Sequence, residues 1–256
     1  MLSVLFGIAF NSWKQMVRDR IFYVVLIVAC LMLGFSYLLA TLTIIESRKI
    51  LLDFGFSAVS LASGATAVYI GIVSMAREIE QRTIYSVVSK PISRSVYLMG
   101  NFLGSFAVLA VTHLLLSLNI AGILLLMGET MPDGFTACLF LIFLETVILL
   151  ALAFLFSSFT SSMLAAGFTA AFFLIGRSNP SFELMATKAL TSGTRKVAMA
   201  LYYVTPNLER FNLRDVVAYG QPYPAEMLPI GVLYAVAYVS VCLAASCVIL
   251  RRRDLP

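Results

Sequence analysis

The sequence predicts an all-α integral membrane protein with six transmembrane helices and an amphipathic interfacial helix at its N-terminus. Three observations predict it. The 256 residues are 61% hydrophobic and only 12% charged, with a mean hydropathy of +0.95, against about 25% charged in a soluble domain. Six apolar runs are long enough, or nearly so, to cross a hydrocarbon core of roughly 30 Å as helix. The runs are continuous and lack the alternation of barrel strands, and a helix satisfies its own backbone in lipid.

Residues 1–20, "MLSVLFGIAFNSWKQMVRDR", carry Leu2, Leu5, Phe6, Ala9, Phe10, Trp13 and Val17 at helical spacing. Ser3, Asn11, Lys14, Gln15 and Arg18 fill the other side. That pattern is an interfacial helix anchored by Trp13. It lacks a charged start and a small-residue cleavage site, so it does not read as a removed signal peptide. The apolar runs follow at 21–44, 57–76, 99–127, 135–157, 161–176 and 227–250, the fifth being short. The whole chain, 1–256, reads as one domain without internal repeats.

Two segments depart from the apolar pattern. Residues 77–98 join the second and third runs and hold Arg77, Glu78, Glu80, Arg82, Lys90 and Arg94. Ile79, Thr83, Ile84, Val87 and Val88 form one helical stripe, with Glu78 and Arg82 an i,i+4 pair on the polar side. Pro91 ends that helix and suits the first turn of the next. A connector that merely meets water would also be charged, but needs only a few residues. Amphipathicity, mixed signs and a proline break fit a docking surface. The second segment, 177–226, is broken into short pieces by Pro206, Pro222 and Pro224, with Pro229 just beyond it. Leu190, Val197, Leu201 and Val204 predict an apolar-faced helix within it, lying against or dipping into the outer leaflet.

Six spans put both termini, 77–98 and the 157–161 turn on one side. That side holds Lys14, Arg18, Arg20, Arg77, Arg82, Lys90, Arg94, Arg251, Arg252 and Arg253, against Arg48 and Lys49 in the short loops opposite. Basic residues favour the cytoplasmic side, so both termini are expected there, in a cell membrane such as a bacterial inner membrane. The net charge of +5 is accounted for by this topology and does not indicate nucleic acid. Cys30, Cys138, Cys242 and Cys247 all fall in apolar runs and read as free thiols, with no metal-type spacing.

Inside the spans, Glu145 stands mid-way along "LIFLETVILLAL". An ionisable group at membrane depth costs about 2.5–3.5 kcal/mol on insertion scales, so it is a candidate site by default. It reads either as a neutral carboxyl bonded to a neighbouring helix or as a substrate or proton site. His113, the single histidine, reads first as a packed, hydrogen-bonded residue, and a pairing with Glu145 stays open. Ser63 in "LASGAT" with His113 has the residue types of an intramembrane serine protease, but residue 61 is Leu where such a motif wants Gly. Ala62, Ser63, Gly64 and Ala65 more simply allow close helix packing.

The stretch "EIEQRTIYSVVSKPISRSVYLMGNFLG" resembles the segment of type-2 ABC transporter permeases that runs E-x-E-x-x-T-x-x-x-L/V-x-x-x-P-x-S-R into a G-K/N-x-x-G helix start. "YYVTPNLERFNLRDVVAYG", a last span and "RRRDL" are similar to the family as well. The resemblance implies a half-permease that pairs with a second copy, as homo- or heterodimer, and binds an ABC ATPase subunit. The segment after the second span would be the coupling helix seated in that ATPase, with Glu78, Glu80, Arg82, Thr83, Pro91, Ser93 and Arg94 in the docking role. Asn101 departs from the pattern, standing where a lysine is frequent. The family leans towards export. A phosphate-binding loop needs G-x-x-x-x-G-K-[ST], and this chain contains no Gly-Lys pair. The expectation is therefore a non-enzymatic chain with no cofactor of its own, ATP and Mg being bound at the partner ATPase. The competing expectation, an ion-driven secondary transporter or channel, would call for paired intramembrane charges and matching broken helices.

Overall fold

The computed structural model describes residues 2–41, 47–80, 94–188 and 192–252. Its described elements are helical throughout: α1 (Leu2–Val17), α2 (Arg20–Thr41), α3 (Ser47–Glu80), α4 (Arg94–Leu126), α5 (Phe135–Ser157), α6 (Ser162–Arg177), α7 (Asn179–Lys188), α8 (Ser192–Val204), a 3-10 turn (Glu209–Phe211), α9 (Arg214–Ala218) and α10 (Met227–Arg252). Five of these, α2, α3, α4, α5 and α10, are long and apolar enough to cross a membrane. The sixth expected span, α6, has 16 residues. At 1.5 Å per residue it is about 24 Å long, short of a full hydrocarbon core.

Contacts between side chains give the helix directions. Ser63 meets His113 and Ser74 meets Ser105, so α3 and α4 are antiparallel. Ser60 lies beside Glu145, and Gly71 beside Ala153, so α3 and α5 run parallel. Phe156 packs on Phe168 and Phe172 while Glu145 meets Arg177, which makes α6 antiparallel to α5. The helix α5 is the axis of the bundle. Apolar on every face, as a helix enclosed by protein should be, it buries Leu141, Ile142, Ile148, Leu149 and Phe154 around its whole circumference.

Small residues let α3 approach that axis. A Cβ added to Gly71 would stand 2.5 Å from the Cβ of Ala153, and one on Gly64 would touch Leu149. Close backbone approach through small residues is the usual glue between membrane helices, because lipid supplies no hydrophobic drive for association. The α3 helix also runs on without a break to Glu80. Its 34 residues are about 51 Å long, so it outreaches the hydrocarbon core and carries the start of the charged 77–98 segment as its own last turn.

The N-terminal helix leaves the aromatic part of its apolar stripe outside the bundle. Phe6, Phe10 and Trp13 are exposed, while Ser12 and Met16 are buried. The reason lies on α4. A Cβ on Gly100 would strike Ile8, and one on Gly104 would strike the Ala9 carbonyl and Ser12. Between them Asn101 accepts a hydrogen bond from Ser12 Oγ. Asn101, at the position where the resembled family often has lysine, is therefore a buried docking point for α1.

Residues 177–226 are not a free loop. The hairpin of α7 and α8 sits on the end of α6, tied by Asn179 Nδ2 donating to the Tyr202 carbonyl (3.1 Å) and to Thr205 Oγ1 (3.3 Å). Val197, Leu201 and Val204 of the expected apolar-faced helix lie on α8, and Leu190 lies outside the described residues. Beyond it the chain returns into the bundle: Leu208, Phe211, Leu213 and Val217 are fully buried. Gly134, at φ +83°, opens α5 against Tyr223 and Val217, where both the backbone conformation and the space require glycine. All four cysteines are free, Cys138 and Cys242 buried and the others half-buried.

Candidate functional site

Glu145 lies ten residues into α5, about 15 Å along the helix from its start, and its side chain is 2% exposed. The bundle closes around it with donors. Arg177, the last residue of α6, approaches through Nε to Oε1 at 2.9 Å and through Nη2 to Oε2 at 3.2 Å. Arg214, the first residue of α9, brings Nη2 to Oε2 at 3.3 Å, and Ser60 Oγ of α3 donates to the same oxygen at 3.3 Å. Arg177 Nη2 also donates to Ser60 Oγ, and its guanidinium lies 4.6 Å over the Phe173 ring. The two-pronged Arg177 contact is the strongest geometry available to this ion pair.

The local sequence explains how each group arrives. The α6 helix ends at Gly176–Arg177, where Leu208 N donates to the Gly176 carbonyl at 3.0 Å and a Cβ on Gly176 would stand 2.7 Å from the Pro206 carbonyl. That close crossing brings 206–214 to the level of Glu145. Asn212 Oδ1 then accepts from Arg214 N at 3.3 Å and starts α9. The shortness of α6 is thus what sets Arg177 beside the bundle axis.

Formally the cluster holds one carboxylate and two guanidiniums, a surplus of one positive charge. Arg214 is 8% exposed, and its Nε has no hydrogen-bond partner among the described residues. Burial, and then the neighbouring charge of Arg177, hold the Arg214 guanidinium below its ordinary value, against the opposite pull of Glu145. Removing charges from water costs several kcal/mol per ion, and only partnership offsets it. The charged partners of Glu145 come from a helix end and from a segment outside the apolar runs.

His113 does not pair with Glu145. Its Nε2 donates to the Leu139 carbonyl at 2.9 Å, which in the neutral ring leaves Nδ1 to accept from Ser63 Oγ at 3.0 Å. Ser63 and His113 are therefore brought together. Both are enclosed, Ser63 completely, and the pair serves as a polar tie between α3, α4 and α5.

Of the docking residues, Arg82, Thr83, Pro91 and Ser93 lie outside the described residues, as does the expected Glu78–Arg82 pair. Glu78 and Glu80 are on the last turn of α3. Arg94 opens α4, and its Nη1 donates to the Leu250 carbonyl at 2.9 Å. Beside it Arg251 Nε donates to Ser95 Oγ at 3.2 Å. A guanidinium at the carbonyl end of α10 satisfies an orphan acceptor and complements the helix dipole. The charged segment is in this way tied through its last charged residue to the final span.

Sequence reasoning found Glu145 and His113 and missed Arg177 and Arg214. Arg177 looked like an ordinary flank, yet a run shorter than the other five was a signal that its terminal charge stays deep. Arg214 carried a fainter one, a cation between Leu213 and Val216–Val217.

A comparison with curated proteins finds no match. A family model described as ABC-2 family transporter protein matches residues 7–255. That span includes α1 from Gly7, every apolar helix, the charged cluster and the 77–98 segment. The chain belongs to the ABC-2 family of transporter proteins and is a membrane permease component of an ABC transporter.

Proposed function

We propose that this chain is the membrane-spanning subunit of an ATP-driven exporter, pairing with a second permease copy and with a separate ABC ATPase. The single observation that carries the reading is the family match across almost the whole chain. The absence of any Gly-Lys pair supports placing ATP and Mg in another polypeptide. The distribution of Lys and Arg supports cytoplasmic termini in the cell membrane, with the 77–98 segment facing the ATPase.

In this mechanism the ATPase closes on ATP and displaces the 77–98 segment. Glu78, Glu80, Arg82, Thr83, Pro91, Ser93 and Arg94 form the docking unit. Two connections leave its described ends, the continuous α3 from Glu80 and the Arg94 contact to α10. Displacement of the charged end of α3 shifts that helix against α5, where Ser60 meets Glu145. An ion-driven carrier would also use paired intramembrane charges, but family membership favours the ATP-driven reading.

The test is purification of the chain from its native membrane with whatever ATPase accompanies it, followed by reconstitution. Stoichiometric complex and vanadate-sensitive turnover are expected. Glu80→Lys and Arg82→Glu should each lower permease-stimulated ATP hydrolysis. Unchanged stimulation and complex yield in both variants would remove the docking assignment.

A further inference from the structure

Arg177 is the tip of a lipid-type surface as well as a partner of Glu145. Met163, Gly167, Ala170 and Leu174 lie at successive turns of one face of α6, all exposed, and Arg177 continues that line. The stripe begins near one end of the bundle and leads to a guanidinium that is 26% exposed. Behind Arg177 is the buried Arg214, meeting the same carboxylate oxygen and holding an Nε–H with no hydrogen-bond partner among the described residues.

The charges around this point do not balance. Glu145 is the only acidic side chain paired to either arginine among the described residues. Glu209 comes last among the charges acting on Arg214, with its Oε1 engaged by Asn212 Nδ2 at 2.7 Å, and the exposed Asp215 acts with Arg214 and Glu145 on the buried Cys138 without pairing to either arginine among the described residues. A surplus guanidinium in a low-dielectric setting is costly unless an anion completes it. Planar guanidiniums match the oxygen pairs of phosphates and carboxylates.

We propose that Arg177 and Arg214 bind the oxyanion headgroup of an amphiphile whose alkyl chain lies along the Met163–Leu174 face of α6. As cargo, such a molecule rests on the permease reading above; as a bound ligand, it does not. A single anionic oxygen group on an apolar tail fits both halves of the surface. Inorganic phosphate shares the headgroup chemistry but leaves the stripe unused.

The experiment uses the purified full-length chain in neutral maltoside micelles without ATPase or nucleotide. Arg177 is modified with phenylglyoxal and its rate is followed by peptide mass spectrometry. Dodecyl phosphate at low mole fraction should slow modification about ten-fold, the effect of one charge-assisted contact, whereas inorganic phosphate at the same concentration should not. Protection should be lost in Arg214→Gln, which retains the Glu145–Arg177 pair and removes the surplus charge. A thermal unfolding scan of the wild-type chain, which needs no variant, should show a higher midpoint with dodecyl phosphate than with dodecanol. Equal protection by inorganic phosphate would overturn the amphiphile assignment. Absence of protection, or full protection in Arg214→Gln, would overturn the site. Because no ATP is present, these outcomes are separate from failure of ATP-driven turnover in the reconstituted complex.

Discussion

The helices α2 and α5 are nearly interchangeable as strings of residues and opposite as parts of the molecule. Both are long apolar runs of similar length. Within the chain, 78% of the apolar window of α5 is buried but only 24% of that of α2. Hydropathy reports transfer from water, and both helices satisfy it equally. What separates them is whether lipid or protein is the neighbour, and lipid tails are as apolar as leucine, so hydropathy is blind to the difference. The contrast has a functional side. Only a helix enclosed by other helices can hold a carboxylate such as Glu145 with partners converging from three directions.

The largest effect should come from breaking the partnership at the axis. Glu145→Leu leaves two guanidiniums facing each other and should destabilise the fold by about 3–5 kcal/mol. Phe35→Ala on α2, 59% exposed, should change stability by less than about 0.5 kcal/mol. Chemical unfolding in detergent compares the two directly, and equal losses would break the contrast between the helices. Next in size is backbone approach. Gly71→Val forces α3 away from Ala153 and should cost about 1–3 kcal/mol. Gly34→Val on α2, where nothing stands within 4 Å, should be near neutral in the same measurement.

An effect of similar size is expected where a polar contact replaces packing. Asn101→Ala leaves Ser12 buried without its acceptor and should cost about 1–3 kcal/mol. It should also release α1, measured as faster proteolysis within residues 2–17. Protease resistance equal to wild type would show that the Gly100–Gly104 groove alone holds α1. The smallest effect belongs to Arg94→Gln. Because that arginine caps the end of α10 from an exposed position, stability should fall by about 1 kcal/mol or less, while ATPase stimulation falls further if the clamp transmits motion. A parallel drop in both would reduce Arg94 to a helix cap.

Much of the fold was legible. The limits of α5 and the start of α10 agree with the apolar runs, because the step from lipid-compatible to water-compatible residues is abrupt there. The ends of α3 and α4 at the charged segment were less legible, since polar residues can continue a helix beyond the membrane, and α3 does so to Glu80. At the site, Glu145 was conspicuous as a charge among leucines. Its partners were not, because Arg177 is a normal flanking residue by composition and Arg214 is 69 residues away in the chain. The inward face of α1 was not legible for a related reason: Phe6, Phe10 and Trp13 are more apolar than Ser12, but lipid accepts them and the narrow Gly100–Gly104 groove does not.

By itself, the sequence determined that the bilayer is the solvent, that the runs are helices, and where charge interrupts them. These follow from transfer free energies and backbone hydrogen bonding, which are local properties of each segment. Only the tertiary structure decided that α5 is central, that 206–218 folds back among the spans, and that Glu145 meets two arginines. Those depend on steric fit between surfaces of equal hydropathy and on charges distant in the chain. No local free energy distinguishes one arrangement of such surfaces from another.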